Sequence, residues 1–507
     1  MQPAQPYLTM LDQLASHDSL LRTQAQRLKA AWQTPPDDVA DYMEQMLQTQ
    51  RLCKIGAAGQ EHNAELIGKL AEVTPKRWAD VPEMPCKPGR QQRQAETMLD
   101  QIQAGAGDHL LLESSFLGKR AAERTLSVCE ARNIQCDFSV ADDLFNTILI
   151  NALDEAQLEQ YSAFEKDRLC RNTHAMYVRG KMDDEIALQR DAAKFARYTE
   201  LATKPFTQLR TDDKVRWILS DAPTPAEAAD EGMDYGEYLD LFFDACDQPW
   251  PQITKAQAHL IAAFNKGHTL RCTNDDGTDV SMSIDGQQFA NSVVARNLPG
   301  SEIFSGPIKE SVNGTLVSIG KFGTKAKGKN FKMEDLTLRI ENGRVMESHA
   351  RVGDADLQEV LSSDDARDPS DPKFEGSRHF GEIGIGTNPF IRQHLRNTLL
   401  CEKIGGSFHL AIGSCYGDSY LNEPCKMSNG NDSAVHWDLT TMLRGKGGRM
   451  YLDGHLVQKD GEWIDCPEMG IDAKQLDVLN RGWAAVPEHE RPKYWRDKLA
   501  AEAERTR

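Results

Sequence analysis

In S-A-V-H-W-D-L-T (Ser433 to Thr440), an imidazole and a carboxylate stand two residues apart. If the run is a β-strand, His436 and Asp438 share one face and Trp437 points the other way. Five more polar residues lie beside glycine-rich turns. Glu302 is in N-L-P-G-S-E-I-F-S-G-P and Glu382 in F-G-E-I-G-I-G-T-N-P. Glu402 and His409 are in C-E-K-I-G-G-S-F-H-L-A-I-G, and Tyr416 in S-C-Y-G-D. Each has a plain structural reading: turn carboxylates, a satisfied core histidine between Phe408 and Leu410, a packed tyrosine with its hydroxyl bonded. Taken together they supply the donors of divalent-metal chemistry. Carboxylates and imidazoles are hard-to-borderline ligands, and no nearby cysteine has ligand spacing. The set therefore suits Zn, Co, Mn or Mg rather than an iron–sulfur cluster or a structural zinc. Three carboxylates and two imidazoles exceed one tetrahedral site. With one carboxylate bridging, they fit two ions about 3.5–4 Å apart.

The chain around this set is ordinary in composition: 507 residues, 40% hydrophobic and 27% charged, with a net charge of −18. At ~100–200 residues per domain this length implies two to four domains. The negative charge argues against nucleic acid as a partner, which would need lysines and arginines for its phosphates. It tolerates cations. The 11 cysteines are an odd number without C-x-x-C spacing, so we expect reduced thiols in a cytoplasmic protein. The N-terminus lacks a basic, then apolar, leader, and no apolar run reaches the ~18 residues of a membrane span.

The elements that must position these residues read as three segments. Residues 1–92 form a helical appendage and linker: Leu8, Leu11, Leu14, Leu20, Leu21 and Leu28 recur at helical spacing, Pro35-Pro36 interrupts, and helices resume from Asp37 and near His62 to Val73. Thr74 to Arg90 is proline-rich and charged, a linker. Residues 93–225 read as an open α/β domain. Its strands are His109 to Glu113, Ile134 to Val140, His174 to Val178 and Val215 to Leu219, with helices near Gly118 to Arg132 and Asp191 to Thr203. No G-x-G-x-x-G follows the first strand, so no nucleotide is assigned. From about Thr224-Pro225 the chain is expected to turn β-rich, making 226–507 the metal-binding domain with a C-terminal helical extension over its last ~35 residues. Hairpin turns are expected at Asp275 to Gly277, Asn313-Gly314 and Asn342-Gly343. Solvated loops are expected at Lys325 to Asn330 and Ser362 to Lys373.

The segment Asn297 to Asp438 resembles the aminopeptidase T / aminopeptidase S family of dinuclear metallopeptidases, with support upstream in R-W-I-L-S-D-A-P-T-P-A-E-A-A-D-E-G-M-D-Y-G-E-Y and D-G-T-D-V. The likeness spans roughly residues 96 to 460. It implies a typically dimeric exopeptidase that removes N-terminal residues from peptides with a free N-terminus. It further implies a dinuclear divalent-metal site and a metal-activated water. By resemblance, Glu302, Glu382, His409, His436 and Asp438 are the metal ligands, with Glu382 bridging. Glu402 is the general base, or alternatively a ligand, and Tyr416 stabilises the oxyanion or touches a metal. The chain departs from the pattern at Ser301 and Gly306, giving S-E-I-F-S-G-P where relatives often have G-E-V-F-T-A-P. These small-for-small changes predict altered subsites with the chemistry kept. The helices outside the likeness would cap the site and narrow its substrates. Two other readings stand beside this one. An Fe(II)-dependent ring-cleaving dioxygenase of the related dihydroxypyridine type would use His409, His436 and Asp438. It would have no need of Glu302 and Glu382. A non-catalytic scaffold should have lost a ligand, and none is missing.

Overall fold

A computed structural model describes every residue except 1–2, 35, 74–83, 88, 181–189, 327–328, 366–374, 422 and 506–507. Most of the linker expected at Thr74 to Arg90, one proline of the Pro35-Pro36 pair and most of the loop expected at Ser362 to Lys373 lie outside the described residues. By its contacts the chain divides into two units, Met1–Phe243 with Ala295–Leu298, and Asp244–Val294 with Pro299–Arg507.

The first unit is built on a parallel sheet. Its strands run in the order Gln135–Val140, His109–Ser114, His174–Arg179, Arg216–Asp221 and Asn297–Leu298. The helices Lys119–Ala131, Glu155–Cys170 and Lys204–Thr211 lie between successive strands. Asp154 opens the second of these with a capping box to Gln157. Among the described residues five helices come ahead of the sheet, Gln5–Ser16, Arg22–Ala31, Val39–Ala57, Ala64–Val73 and Arg90–Gln101. They belong to this same unit. The edge strand Gln135–Val140 exposes backbone groups that need partners. Gln50, on the third helix, meets two of them: its amide nitrogen donates to the Phe138 carbonyl, and its oxygen accepts from the Val140 N–H at 3.2 Å. Arg51 pairs with Asp142 at 3.1 Å, and Lys54 donates to Asn146 at 2.9 Å.

Past Thr224-Pro225 the chain is helix, not sheet, through the end of the first unit and on into the second, which begins at Asp244; this corrects the expectation that β structure starts at Thr224-Pro225. Pro225–Glu231 is a helix because Thr224 and Glu227 form a capping box and proline sits in the first turn. Tyr235–Cys246 and Trp250–Phe264 follow. Two antiparallel sheets then form. The larger runs Arg344–Val352, Lys329–Glu341, Asn313–Ala326, Asp279–Ser283, Thr269–Thr273, Arg449–Leu452, His455–Lys459, Glu462–Trp463. The smaller runs His436–Met442, Ser407–Gly413, Phe380–Gly386, Glu302–Ser305, Ala290–Ser292. Asn342-Gly343 makes the expected turn, both residues having positive φ (48° and 78°). Asn313-Gly314 does not. It opens a strand paired with Asp279–Ser283, where a Cβ on Gly314 would lie 2.1 Å from the Asp279 carbonyl oxygen. Glycine here serves close approach rather than a turn. Likewise Lys325 to Asn330 is mostly strand: Lys325 pairs with Asn330 and Ala326 with Lys329 at the end of a long hairpin. The helices Ala473–Arg481 and Lys493–Arg505 close the chain.

Candidate metal centre

The smaller sheet has a mainly apolar face and a polar one. Ile303, Ile383, Ile385, Phe408, Leu410, Ile412, Trp437 and Leu439 alternate to one side and are buried. Alternation sends the residues between them to the other side. Cross-strand register arranges those in neighbouring rows: Glu302 opposite Gly386; Gly384 opposite His409; Glu382 opposite Ala411, itself opposite Asp438; Gly413 opposite His436. On this face, then, every bulky polar residue has a glycine or alanine beside it. The spacing is required sterically. A Cβ on Gly384 would fall 2.0 Å from His409 Nε2, so the imidazole lies across the space the glycine leaves. A bulge between Phe380 and Glu382 shifts the strand register just before the carboxylate.

The five predicted ligands converge. His409 Nε2 is 3.6 Å from Glu302, 3.4 Å from Glu382 and 3.8 Å from Asp438. His436 Nε2 is 3.2 Å from Glu382 and 3.7 Å from Asp438. They form two three-donor groups, Glu302/Glu382/His409 and Glu382/His436/Asp438, each with donor atoms within 4.8 Å of one another. Glu382 belongs to both. His436 Nδ1 lies 2.7 Å from the Ser414 carbonyl. A carbonyl only accepts, so Nδ1 carries the proton and Nε2 faces the carboxylates.

Of the two remaining candidates, Glu402 follows the short helix Thr398–Cys401 and borders, with Asp438, a narrow crevice also lined by Phe322, Arg396 and Cys401. Tyr416 lies in the loop after Ser407–Gly413, its ring 5.5 Å from His436 and 5.1 Å from Phe304. The sequence reading passed over one participant, Lys403. It is fully buried and bonds both Glu302 (2.5 Å) and Glu402 (2.8 Å). Its signal was a lysine inside the glycine-flanked C-E-K-I-G-G run, a place where a solvated cation is out of character. The departures from the family pattern also acquire reasons. Ser301 is buried, its hydroxyl 2.6 Å from both Gln257 and Thr387. A Cβ on Gly306 would sit 2.4 Å from the Met427 carbonyl oxygen.

Electrostatically the cluster is short of positive charge. Burial disfavours charge on both imidazoles, yet the surrounding carboxylates win. Glu382 and Asp438 lead in holding His409 up at about 9, and Asp438 and Glu382 in holding His436 up at about 10. Burial would raise Glu382, but its bonds to the two histidines bring it down to about 2. Asp438 is pushed up to about 7, first by burial and then by the charge of Glu402. Burial likewise raises Glu302 against the opposing pull of Lys403, while for Glu402 the lysine outweighs burial and lowers it. Tyr416 is pushed well above its usual range, first by the charge of Glu382. As 45% of the residue is exposed, charge rather than burial is the cause to rely on. The donor set thus fits divalent cations. Oxygen and nitrogen ligands converge, Glu302 Oε2 is buried without a hydrogen-bond partner, and negative charge exceeds what Lys403 balances.

Comparison with known proteins bears on what such a centre does. Residues 92–463 match the thermophilic metalloprotease family (M29). The chain belongs to that family. As a family member it is a metal-dependent hydrolase acting on peptide bonds. It is similar to aminopeptidase AmpS of Bacillus subtilis (strain 168), 25% identical over 343 residues, which are 60% of this chain and 78% of that protein. It is similar to aminopeptidase T of Thermus thermophilus, 28% identical over 304 residues, 52% of this chain and 69% of that protein. The solved structure of wild-type AmpT from Thermus thermophilus superposes with a TM-score of 0.57 at 16% identity. It covers 74% of this chain and 99% of that one, a likeness of fold. Among the described residues no helix is long and apolar enough to cross a membrane. The 11 cysteines are free thiols.

Proposed function

We propose that this metalloprotease is an aminopeptidase with a dinuclear centre. Glu302, Glu382 and His409 would hold one divalent cation, and Glu382, His436 and Asp438 the other. The observation that carries this is the place of Glu382 in both three-donor groups. A mononuclear His/His/Asp iron site leaves Glu302 and Glu382 without a role. When bound, the cations supply Lewis acidity and bring the pKa of a water toward neutral.

The chain's own residues do the rest. Glu402 is the general base: Lys403 keeps it ionised at neutral pH despite burial, so it can take a proton and return it to the departing amine. Lys403 is a positioning residue, tying Glu302 to Glu402 with one ammonium. Tyr416 stays protonated amid the carboxylates and can donate a hydrogen bond to the developing oxyanion. The free α-amino group of the peptide is held near a carboxylate or a metal of this centre, which confines cleavage to the first residue.

The test is metal content per chain together with amino-acid release from free-amine and N-acetylated peptides, with and without chelator. At least two divalent ions and chelator-sensitive release from free-amine peptides alone are expected. Equal cleavage of acetylated peptides would remove the exopeptidase reading. One iron and no release would remove the peptidase site altogether.

A further inference from the structure

A third set of donors lies elsewhere in the second unit and shares no residue with the centre described above. His455 opens the strand His455–Lys459, straight after the turn Asp453-Gly454, both of positive φ. Cys466 and Glu468 lie on the turn that follows the last strand of the same sheet. One donor atom from each of the three residues falls within 4.8 Å of the others. Cys466 Sγ is 3.7 Å from Glu468 Oε2. Donors held 2.0–2.3 Å from a tetrahedral zinc lie roughly 3.3–3.8 Å apart, so this pair is already at coordination spacing.

The backbone around the thiol is fixed. Cys466 and Ile471 exchange two backbone hydrogen bonds, each 3.0 Å, and Pro467–Met469 forms a tight 3-10 turn closed by Gly470 at φ 71°. Cys466 is 3% exposed while His455 and Glu468 are exposed, so the sulfur forms the floor and the other two the rim. Among the described residues no hydrogen-bond acceptor engages the His455 ring. The chemistry is also unlike the main centre, which has carboxylate and imidazole only. Thiolate, imidazole and carboxylate together select a borderline transition cation over Mg or Ca. The match to the metalloprotease family ends at residue 463, so Cys466 and Glu468 lie outside what that family shares.

We propose that His455, Cys466 and Glu468 form a second, single-ion site for zinc or a zinc-like cation. It has three protein ligands and a water in the fourth position, and it clamps the Cys466–Gly470 turn to the hairpin at Leu452–His455. Binding forms a sulfur–metal bond and releases the thiol proton to solvent.

The test uses the full-length chain stripped by chelator and titrated with Co²⁺. A thiolate-to-cobalt charge-transfer band in the near ultraviolet reports only a sulfur-ligated ion, to which the carboxylate/imidazole centre is blind. The band is expected in the native chain, absent in Cys466→Ser, and weakened at least tenfold in affinity in His455→Ala and Glu468→Gln. These last two alter exposed side chains and leave the fold intact should Cys466→Ser misfold. Zinc-loaded native protein should hold one more equivalent than Cys466→Ser, with peptide hydrolysis unchanged. No band in the native chain, or an undiminished band in any of the three variants, overturns the site.

Discussion

Two buried ionic clusters, one in each unit, have opposite designs. In the first, Arg168 lies between Asp137 (3.4 Å) and Glu165 (3.1 Å), all three buried. Tyrosines wall it in: Tyr7 and Tyr161 are buried beside it, and Tyr161 stacks on Tyr198. Arginine answers the acids, and burial raises Asp137 against the pull of that arginine. In the second, four carboxylates meet one lysine and two histidines, and the walls are Gly384, Gly386, Ala411 and Gly413. The first cluster is bordered by bulky tyrosine rings. The second keeps room and negative charge in the same place. A buried network that closes its own charge is structural. One that leaves charge open beside small residues is built for something that arrives from outside.

Substitutions on either side should break this contrast in opposite ways. The largest effect is expected from His436→Ala, which removes a donor of the open cluster. Turnover on free-amine peptides should fall beyond the ~10–100-fold typical of losing an outer metal partner, with the circular dichroism spectrum unchanged. A variant with normal rates would refute the assignment. Arg168→Met should do the reverse. It strands two buried carboxylates, and breaking a buried pair this way costs roughly 3–5 kcal/mol. The denaturation midpoint should drop while metal content per folded chain holds. Between these lies Gly384→Ala. Its Cβ must displace the His409 ring, and a shift of about 1 Å at a reacting centre can cost ~10²-fold in rate. Stability should change less than activity. An active Gly384→Ala would show that the empty space is not needed.

The open cluster was largely legible in the sequence, and the closed one was not. His436 and Asp438 announce themselves by the two-residue period of a strand, and the glycines beside Glu382 and His409 mark where side chains must be spared. Ligand types at a metal are few, so their identity carries information. Asp137, Glu165 and Arg168 sit in a strand and a helix whose patterns look like any solvated face; only tertiary packing pairs them. Lys403 escaped for the same reason, as its partner Glu302 is distant in sequence. Short apolar runs bounded by polar residues, such as His109–Ser114, were readable. The helices from Pro225 to Phe264 were missed because proline and glycine near Thr224 read as punctuation before sheet, although Thr224-x-x-Glu227 is a helix start. Asn313-Gly314 looks identical to Asn342-Gly343, and only the neighbouring strand decides which one turns.

The smallest expected effect concerns why the first unit carries helices ahead of its sheet. Gln50 is buried, and its amide meets the Phe138 carbonyl and the Val140 N–H on the outer strand of the parallel sheet. Among the described residues, those backbone groups have no strand on that side to pair with. Gln50→Ala would leave a buried donor and a buried acceptor unmet, at roughly 1–3 kcal/mol. Gln50→Glu keeps an acceptor for Val140 but offers the Phe138 carbonyl a second acceptor, so it should be worse than alanine. Hydrogen exchange separates this from simple loss of helix packing. The Val140 amide should lose protection selectively in Gln50→Ala, while the Leu110 to Leu112 amides in the neighbouring strand keep theirs. Uniform loss across the sheet would mean that the helix contributes by apolar burial alone. Unchanged protection at Val140 would mean that the edge is covered by something other than this side chain.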